Sequence, residues 1–153
     1  MTIRDATPTD LPEIFALVRE LAEYEREPDS VVFDADEFTG NLFGDRAVAH
    51  ALIAETDAGE VAGFAIWFET FSTWRGQSGI WLEDLLVRPD FRRFGLGRAL
   101  LEELRRRTDG RVEWAVLDWN TPAQDFYRSI GAAPQDEWTT WRWERRPPAA
   151  DGR

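Results

Sequence analysis

The segment FRRFGLGRAL, residues 91–100, places Gly95 and Gly97 among Arg92, Arg93 and Arg98 where an apolar run gives way to a helical repeat. A helix start leaves several backbone N–H groups without partners at the positive end of its dipole. Glycines let an anion approach those amides, and the arginines add charge around it, so the turn suits a phosphate or a diphosphate. It is not a Walker loop, which needs a lysine this chain lacks, and Leu100 stands where the dinucleotide fingerprint wants a small residue. Just upstream, 80–87 is apolar except for Glu83 and Asp84, which reads as a buried central strand carrying two charges.

The flanking elements follow from periodicity. Thr2, Ile3 and Arg4 begin a short strand, and Asp10 and Glu13 stand at the spacing of a helix cap before Leu11, Ile14, Val18 and Leu21. A second, shorter helix is expected over 33–43, closed by Gly44. Strands are expected at 47–55 and 61–68 around the turn at Asp57, Ala58 and Gly59, and a loop between Gly76 and Gly79. After the glycine turn, Leu96, Leu100 and Leu104 share a helical face, with Arg105, Arg106 and Arg107 near its negative end. A strand over 111–118 follows, then a helix with Thr121 as cap, Pro122 in its first turn, and Ala123, Phe126, Tyr127 and Ile130 on one face. Alternation over 137–143 suggests a last strand. The sum is an α/β domain over 1–145, with a parallel crossover through the glycine-turn helix and a disordered tail from 146.

Composition narrows the partners. The chain has 153 residues, a formal charge of −11, eight Trp, no Cys and one His, so a compact aromatic-rich core is expected. The negative charge argues against nucleic acid and favours a cationic small molecule. Without cysteine a thiolate site is excluded, and with only His50 neither a zinc cluster nor a Ser-His-Asp triad is expected, nor any metal. All 18 basic residues are Arg, so no lysine side chain can form a Schiff base. No apolar run approaches the roughly 20 residues of a membrane span, and the amino terminus lacks the apolar core of a leader, so a cytoplasmic protein with no membrane partner is expected. His50, Trp114 and Trp119 read as packing.

The pattern Arg92-x-x-Gly95-x-Gly97, directly after Leu85, Leu86, Val87, Arg88 and Pro89, resembles the acetyl-coenzyme A signature of the GNAT superfamily of N-acetyltransferases. The stretches LAEYE at 21–25, GFA at 63–65, LED at 82–84, NTP at 120–122 and FYRSIGA at 126–132, together with Trp74, are similar to its diamine (spermidine/spermine) branch. That resemblance implies the GNAT fold: a twisted, mostly antiparallel mixed sheet with a central parallel strand pair flanked by helices. It implies acetyl-coenzyme A as co-substrate, its diphosphate held by Arg92, Arg93, Phe94, Gly95, Leu96, Gly97 and Arg98. Its pantetheine arm would run along Leu85, Leu86 and Val87, with Asn120, Phe126 and Tyr127 completing the cofactor contacts. Tyr24, Glu25, Trp74, Glu83 and Asp84 match positions lining the acceptor end, and a homodimer is the expected assembly.

The implied reaction has an amine attack a thioester, and a primary ammonium, with a reference pKa near ~10.4, must first lose a proton. Glu83, a carboxylate on an otherwise apolar strand, is the candidate base, directly or through water. Asp84 points to the opposite face of a regular strand and shares the site only if a bulge intervenes. Tyr127 matches the tyrosine beside the cofactor sulfur, and a phenol can return a proton to the leaving thiolate. The acceptor is a polyamine, a diamine or a lysine-like amino acid, reached by direct transfer. A non-catalytic acyl-coenzyme A sensor and a protein or peptide acetyltransferase are the competing classes.

Overall fold

The computed structural model describes residues 1–144. They fall into two units, Met1–Trp119 and a second from Asn120 onward. The first contains β1 (Thr2–Asp5), α1 (Leu11–Tyr24), α2 (Ala35–Phe43), β2 (His50–Glu55), β3 (Val61–Ser72), β4 (Gln77–Val87), α3 (Leu96–Arg106) and β5 (Val112–Trp114). The second contains α4 (Thr121–Ser129). The tail expected from 146 lies outside the described residues. Among the described residues, no helix is long and apolar enough to cross a membrane.

The five strands lie in the order β1-β2-β3-β4-β5, antiparallel except for the parallel pair β4 and β5. The β4-α3-β5 passage is therefore the crossover that the apolar runs and the intervening helix called for. One face of the sheet packs Ile53, Phe64, Ile66 and Leu86 against Ile14, Leu17 and Leu21 of α1 and Leu42 of α2. Leu52, Ala65 and Leu82 are also buried and alternate with that set along the strands, facing away from it. Helix α3 packs on β1 to β4 through Leu96, Leu100, Leu101 and Leu104, all at most 5% exposed. Burying leucines of this size is worth roughly 2 kcal/mol each, which fixes the helix whose first turn carries the glycines.

Several local expectations are corrected. The loop glycine Gly79 lies inside β4, and the turn before that strand ends at Gly76. A Cβ on Gly79 would sit 2.7 Å from the Arg111 carbonyl oxygen, and one on Gly110 would sit 1.9 Å from that of Ser78. Only bare backbone lets the chain leaving α3 come back beside β4. The strand expected over 111–118 is confined to Val112–Trp114, paired with Ile80, Trp81 and Leu82. No strand forms over 137–143. Trp138, Trp141 and Trp143 are 73%, 91% and 100% exposed, and alternation without a paired neighbour and a buried face does not make a strand.

The caps differ too. Asp10 precedes α1, but its side chain does not cap it. It accepts two 2.8 Å hydrogen bonds from Arg4 and one of 2.7 Å from the Thr7 N–H, and the guanidinium holds its carboxyl down at about 2. Ahead of α4 the cap is Asn120 instead of Thr121: the Asn120 Oδ1 accepts from the Ala123 N–H at 3.3 Å.

Candidate active site

Between β4 and α3 the chain makes the turn that the sequence singled out. Arg93 has φ 71° and Gly95 has φ 78°, so two left-handed residues reverse the chain before the helix begins. Gly95 precedes the first helical residue, and a side chain there would project into open space. The Ala99 N–H is bonded to the Gly95 carbonyl at 2.9 Å, so the amides of Leu96, Gly97 and Arg98 precede the helical ladder and face outward from its positive end. Arg92 and Arg93 are exposed beside them, and Phe94 is 65% exposed. Arg92 is tied back to the strand, its Nε donating to the Val87 carbonyl at 3.0 Å. Arg98 is paired with Glu102 on its own helix at 2.9 Å.

β5 pairs with β4 only as far as Leu82. Among the described residues, 83–87 have no strand on that side, so the edge at Leu85, Leu86 and Val87 is unpaired by any strand and runs into the anion turn, where Arg92 already takes the Val87 carbonyl. A free edge can pair with an extended, amide-bearing arm, and the turn can hold a diphosphate. These residues fit both portions of a coenzyme A molecule.

The same part of β4 carries the carboxylates. Asp84 is opposite Ile66 and Leu82 opposite Trp67, so two residues that are consecutive on β3 face two that are not consecutive on β4. Glu83 is the extra residue of a β-bulge. The condition under which Glu83 and Asp84 can share a site is met. Their environments are the reverse of the expectation: Glu83 is exposed, its Oε2 accepting from the Trp81 Nε1 at 2.9 Å, and Asp84 is the shielded one. Burial, then the charges of Glu83 and Glu25, push the Asp84 carboxyl up to about 6. Burial also raises Glu25, the residue that ends α1. The end of one helix and the bulge of one strand thus bring two further carboxylates, Glu25 and Glu83, within electrostatic reach of Asp84.

Tyr24 joins this cluster to the anion turn, since the Arg92 guanidinium lies 5.5 Å from its ring centroid. Trp74 does not join it. That residue is 90% exposed in the turn before β4, seven strand residues or roughly 20 Å from Asp84. In the second unit, Asn120 is 6% exposed at the head of α4, and Tyr127 packs its ring 5.4 Å from that of Phe126.

Two groups escaped the sequence reading. Trp119, read as packing, lies tilted with its ring 6.3 Å from that of Tyr24 and carries the Arg26 guanidinium 4.2 Å from its centroid. The juxtaposition joins distant parts of the chain and leaves no local pattern. Arg88, the residue before Pro89, donates to Glu20 at 2.9 Å, to Glu13 at 2.8 Å and to the Val61 carbonyl at 2.9 Å. It clamps α1, and with it Tyr24 and Glu25, to the end of β4. An arginine between a strand and a proline was the only signal available. Among the described residues, no group of three or more His, Cys, Asp or Glu is arranged to hold a metal ion.

The signature of the acetyltransferase (GNAT) family matches residues 11–132. The chain belongs to the GNAT acetyltransferase family. It is an acetyl-transfer enzyme, and GNAT acetyltransferases use acetyl-coenzyme A, in keeping with the turn and free edge described above. This GNAT chain is 34% identical to thialysine N-epsilon-acetyltransferase of Bos taurus, over 93% of its own length and 91% of the relative's. It is 29% identical to the L-ornithine N5-acetyltransferase of Arabidopsis thaliana, over 92% of its own length and 82% of that protein's. Among solved structures, an integron cassette protein from the mobile metagenome of V. cholerae superposes with a TM-score of 0.76 at 22% identity, covering 95% of this chain and 93% of the other, a likeness of fold.

Proposed function

We propose that this protein moves the acetyl group of acetyl-coenzyme A directly to a primary amine of a small cationic acceptor: a polyamine, a diamine or a lysine-like amino acid. The observation that carries the reading is the cluster of Glu25, Glu83 and Asp84 beside the anion turn and the free edge of β4. Three carboxylates offer a strongly negative site to an alkyl ammonium, and Tyr24 adds an aromatic face for it. Both relatives described above are named for acetylation of an amino acid's side-chain amine, which supports the same chemistry.

The roles follow from chemistry and from family resemblance. Residues 92–98 hold the diphosphate, and Leu85, Leu86 and Val87 pair with the pantetheine arm. Acetyl-coenzyme A supplies the activated acyl group as a thioester. Glu83, exposed and able to reach water, takes the proton from the acceptor ammonium, and Asp84 and Glu25 hold that ammonium in place. Asn120 and Phe126 contribute to cofactor binding, and the Tyr127 phenol returns a proton to the sulfur. Trp74 lies away from the cluster within one chain, so it enters the acceptor site only if the homodimer that the family resemblance implies brings it there.

The test is steady-state release of coenzyme A with acetyl-coenzyme A held fixed and thialysine, ornithine, putrescine, spermidine and an intact protein offered in turn. Turnover with small amines, lost in Tyr127→Phe without loss of cofactor affinity, is the expected result. Turnover with the protein alone refutes a small acceptor. Binding of acetyl-coenzyme A with no turnover on any acceptor makes the protein a sensor.

A further inference from the structure

We infer that the Arg26 guanidinium, held on the face of Trp119, is the recognition point for an acceptor's carboxylate, which makes this site selective for amino acids bearing a terminal amine over the corresponding diamines. The inference rests on the small-amine reading above and narrows its substrate class.

Arg26 is set apart by its backbone and by where its side chain lies. Its backbone has φ 65°, a left-handed conformation uncommon for residues other than Gly, Asn and Asp, which costs on the order of 1 kcal/mol. The strain places the side chain off the end of α1 and onto Trp119, at 4.2 Å. Its guanidinium also makes no ion pair and no side-chain hydrogen bond among the described residues. Arg46, Arg75 and Arg93 are likewise without such a pair among the described residues, and what distinguishes Arg26 is the ring that holds it beside Tyr24. Nor is a carboxylate lacking in the neighbourhood. Glu27, the next residue, accepts instead from the Ser30 hydroxyl at 3.1 Å, and the preceding Glu25 is felt at Asp84.

The surroundings give this cation a purpose. Two guanidinium groups lie on this pair of rings: Arg92 of the anion turn is 5.5 Å from the Tyr24 ring, and Arg26 is 4.2 Å from the ring of Trp119, itself 6.3 Å from Tyr24. Each ring of the pair thus carries a cation, and the Glu25, Glu83 and Asp84 carboxylates of the same cluster are negative. An acceptor with a cation at one end and an anion at the other matches that pattern. Its ammonium goes to the carboxylates, its methylenes lie along the rings, and its carboxylate meets the fork of Arg26, whose planar donors suit bidentate pairing. Lysine or ornithine carries its α-ammonium beside that carboxylate, which offsets it, whereas the diamine brings the same ammonium against Arg26 with nothing to offset it, a like-charge penalty that is the negative half of the selectivity.

Lysine with cadaverine, and ornithine with putrescine, are pairs that differ only by the carboxylate. The protein is expected to acetylate the amino acid of each pair with a kcat/KM at least tenfold above the diamine. Arg26→Gln should abolish that ratio through the KM of the amino acid alone, with the diamine unchanged or improved. Arg26→Gly removes the same cation while relieving the left-handed strain, so it should fold at least as stably and show the same lost ratio. Calorimetric titration in the presence of coenzyme A reads binding without turnover: lysine should bind the parent protein and lose affinity in both variants, and cadaverine should not. A parent protein that prefers the diamines, or a ratio unmoved in both variants, overturns the role of Arg26 while leaving small-amine acetylation intact. If nothing is acetylated, the proposed function fails, and the titration alone then decides the role of Arg26, absence of lysine binding refuting it.

Discussion

Asp84→Asn should make the protein more stable and less active. The Asp84 carboxyl is displaced from 3.8 to about 6, first by burial and then by Glu83 and Glu25, and at about 1.4 kcal/mol per unit of pKa this is an upper bound of about 3 kcal/mol. The sign follows from proton binding. Between about pH 4 and pH 6 the unfolded chain has released the Asp84 proton and the folded chain retains it, so stability falls as pH rises through that window and levels off above it. Asparagine resembles the protonated acid and removes this loss. For a domain of this size, a gain of that order raises Tm by roughly 6 to 10 °C at pH 8, and the difference between the two proteins should close towards pH 4. The assay is thermal melting of both proteins across pH 4 to 8, with kcat/KM for the acceptor measured at pH 8, where the variant should have lost at least tenfold. A variant less stable than its parent at pH 8, or a difference that does not change with pH, would refute the reasoning, because burial of the charge could not then be what sets Asp84 apart.

Asp10→Asn should cost about 2 kcal/mol at neutral pH, since its carboxyl, held at about 2 by Arg4, contributes stability above the unfolded value of 3.8 that is lost as the pH falls towards 2. Urea unfolding at pH 7 and pH 3 should show the gap shrinking with acid. Gly110→Ala puts a methyl 1.9 Å from the Ser78 carbonyl oxygen, so the return of the chain beside β4 must shift, and a loss of over about 3 kcal/mol or an insoluble product is expected on expression and melting. Arg88→Gln frees α1 from the end of β4, and kinetics should show the acceptor KM rising several-fold with little change in coenzyme A affinity by calorimetry.

The parts of this fold that local chemistry dictates were legible in the sequence. Leu96, Leu100 and Leu104 at helical spacing, and the apolar run before Glu83, were enough to place the crossover and the anion turn on it. What pairing decides was not. The bulge at Glu83 exists because β3 and β4 fall out of register at Ile66 and Trp67, which no pattern within β4 announces. The short β5 and the unformed strand over 137–143 show the same limit, since alternation describes a surface and not its partner. Asp10 was read as a cap from its spacing, but a guanidinium from β1 competes more strongly for its oxygens than backbone amides do. Arg26 and Trp119 are too far apart in the chain for either to mark the other.

The bulge also separates two demands that usually conflict. Glu83 faces no residue on β3, and β5 has ended one residue before it, so its side chain belongs to neither ladder. A substitution there removes no cross-strand pair from the sheet. The family resemblance puts acceptor chemistry at this position and its neighbour, where the two-residue rhythm of the strand is already broken. The proposed base can therefore be turned and hydrated without disturbing either ladder, while the turn a few residues on is fixed by the packed leucines of α3.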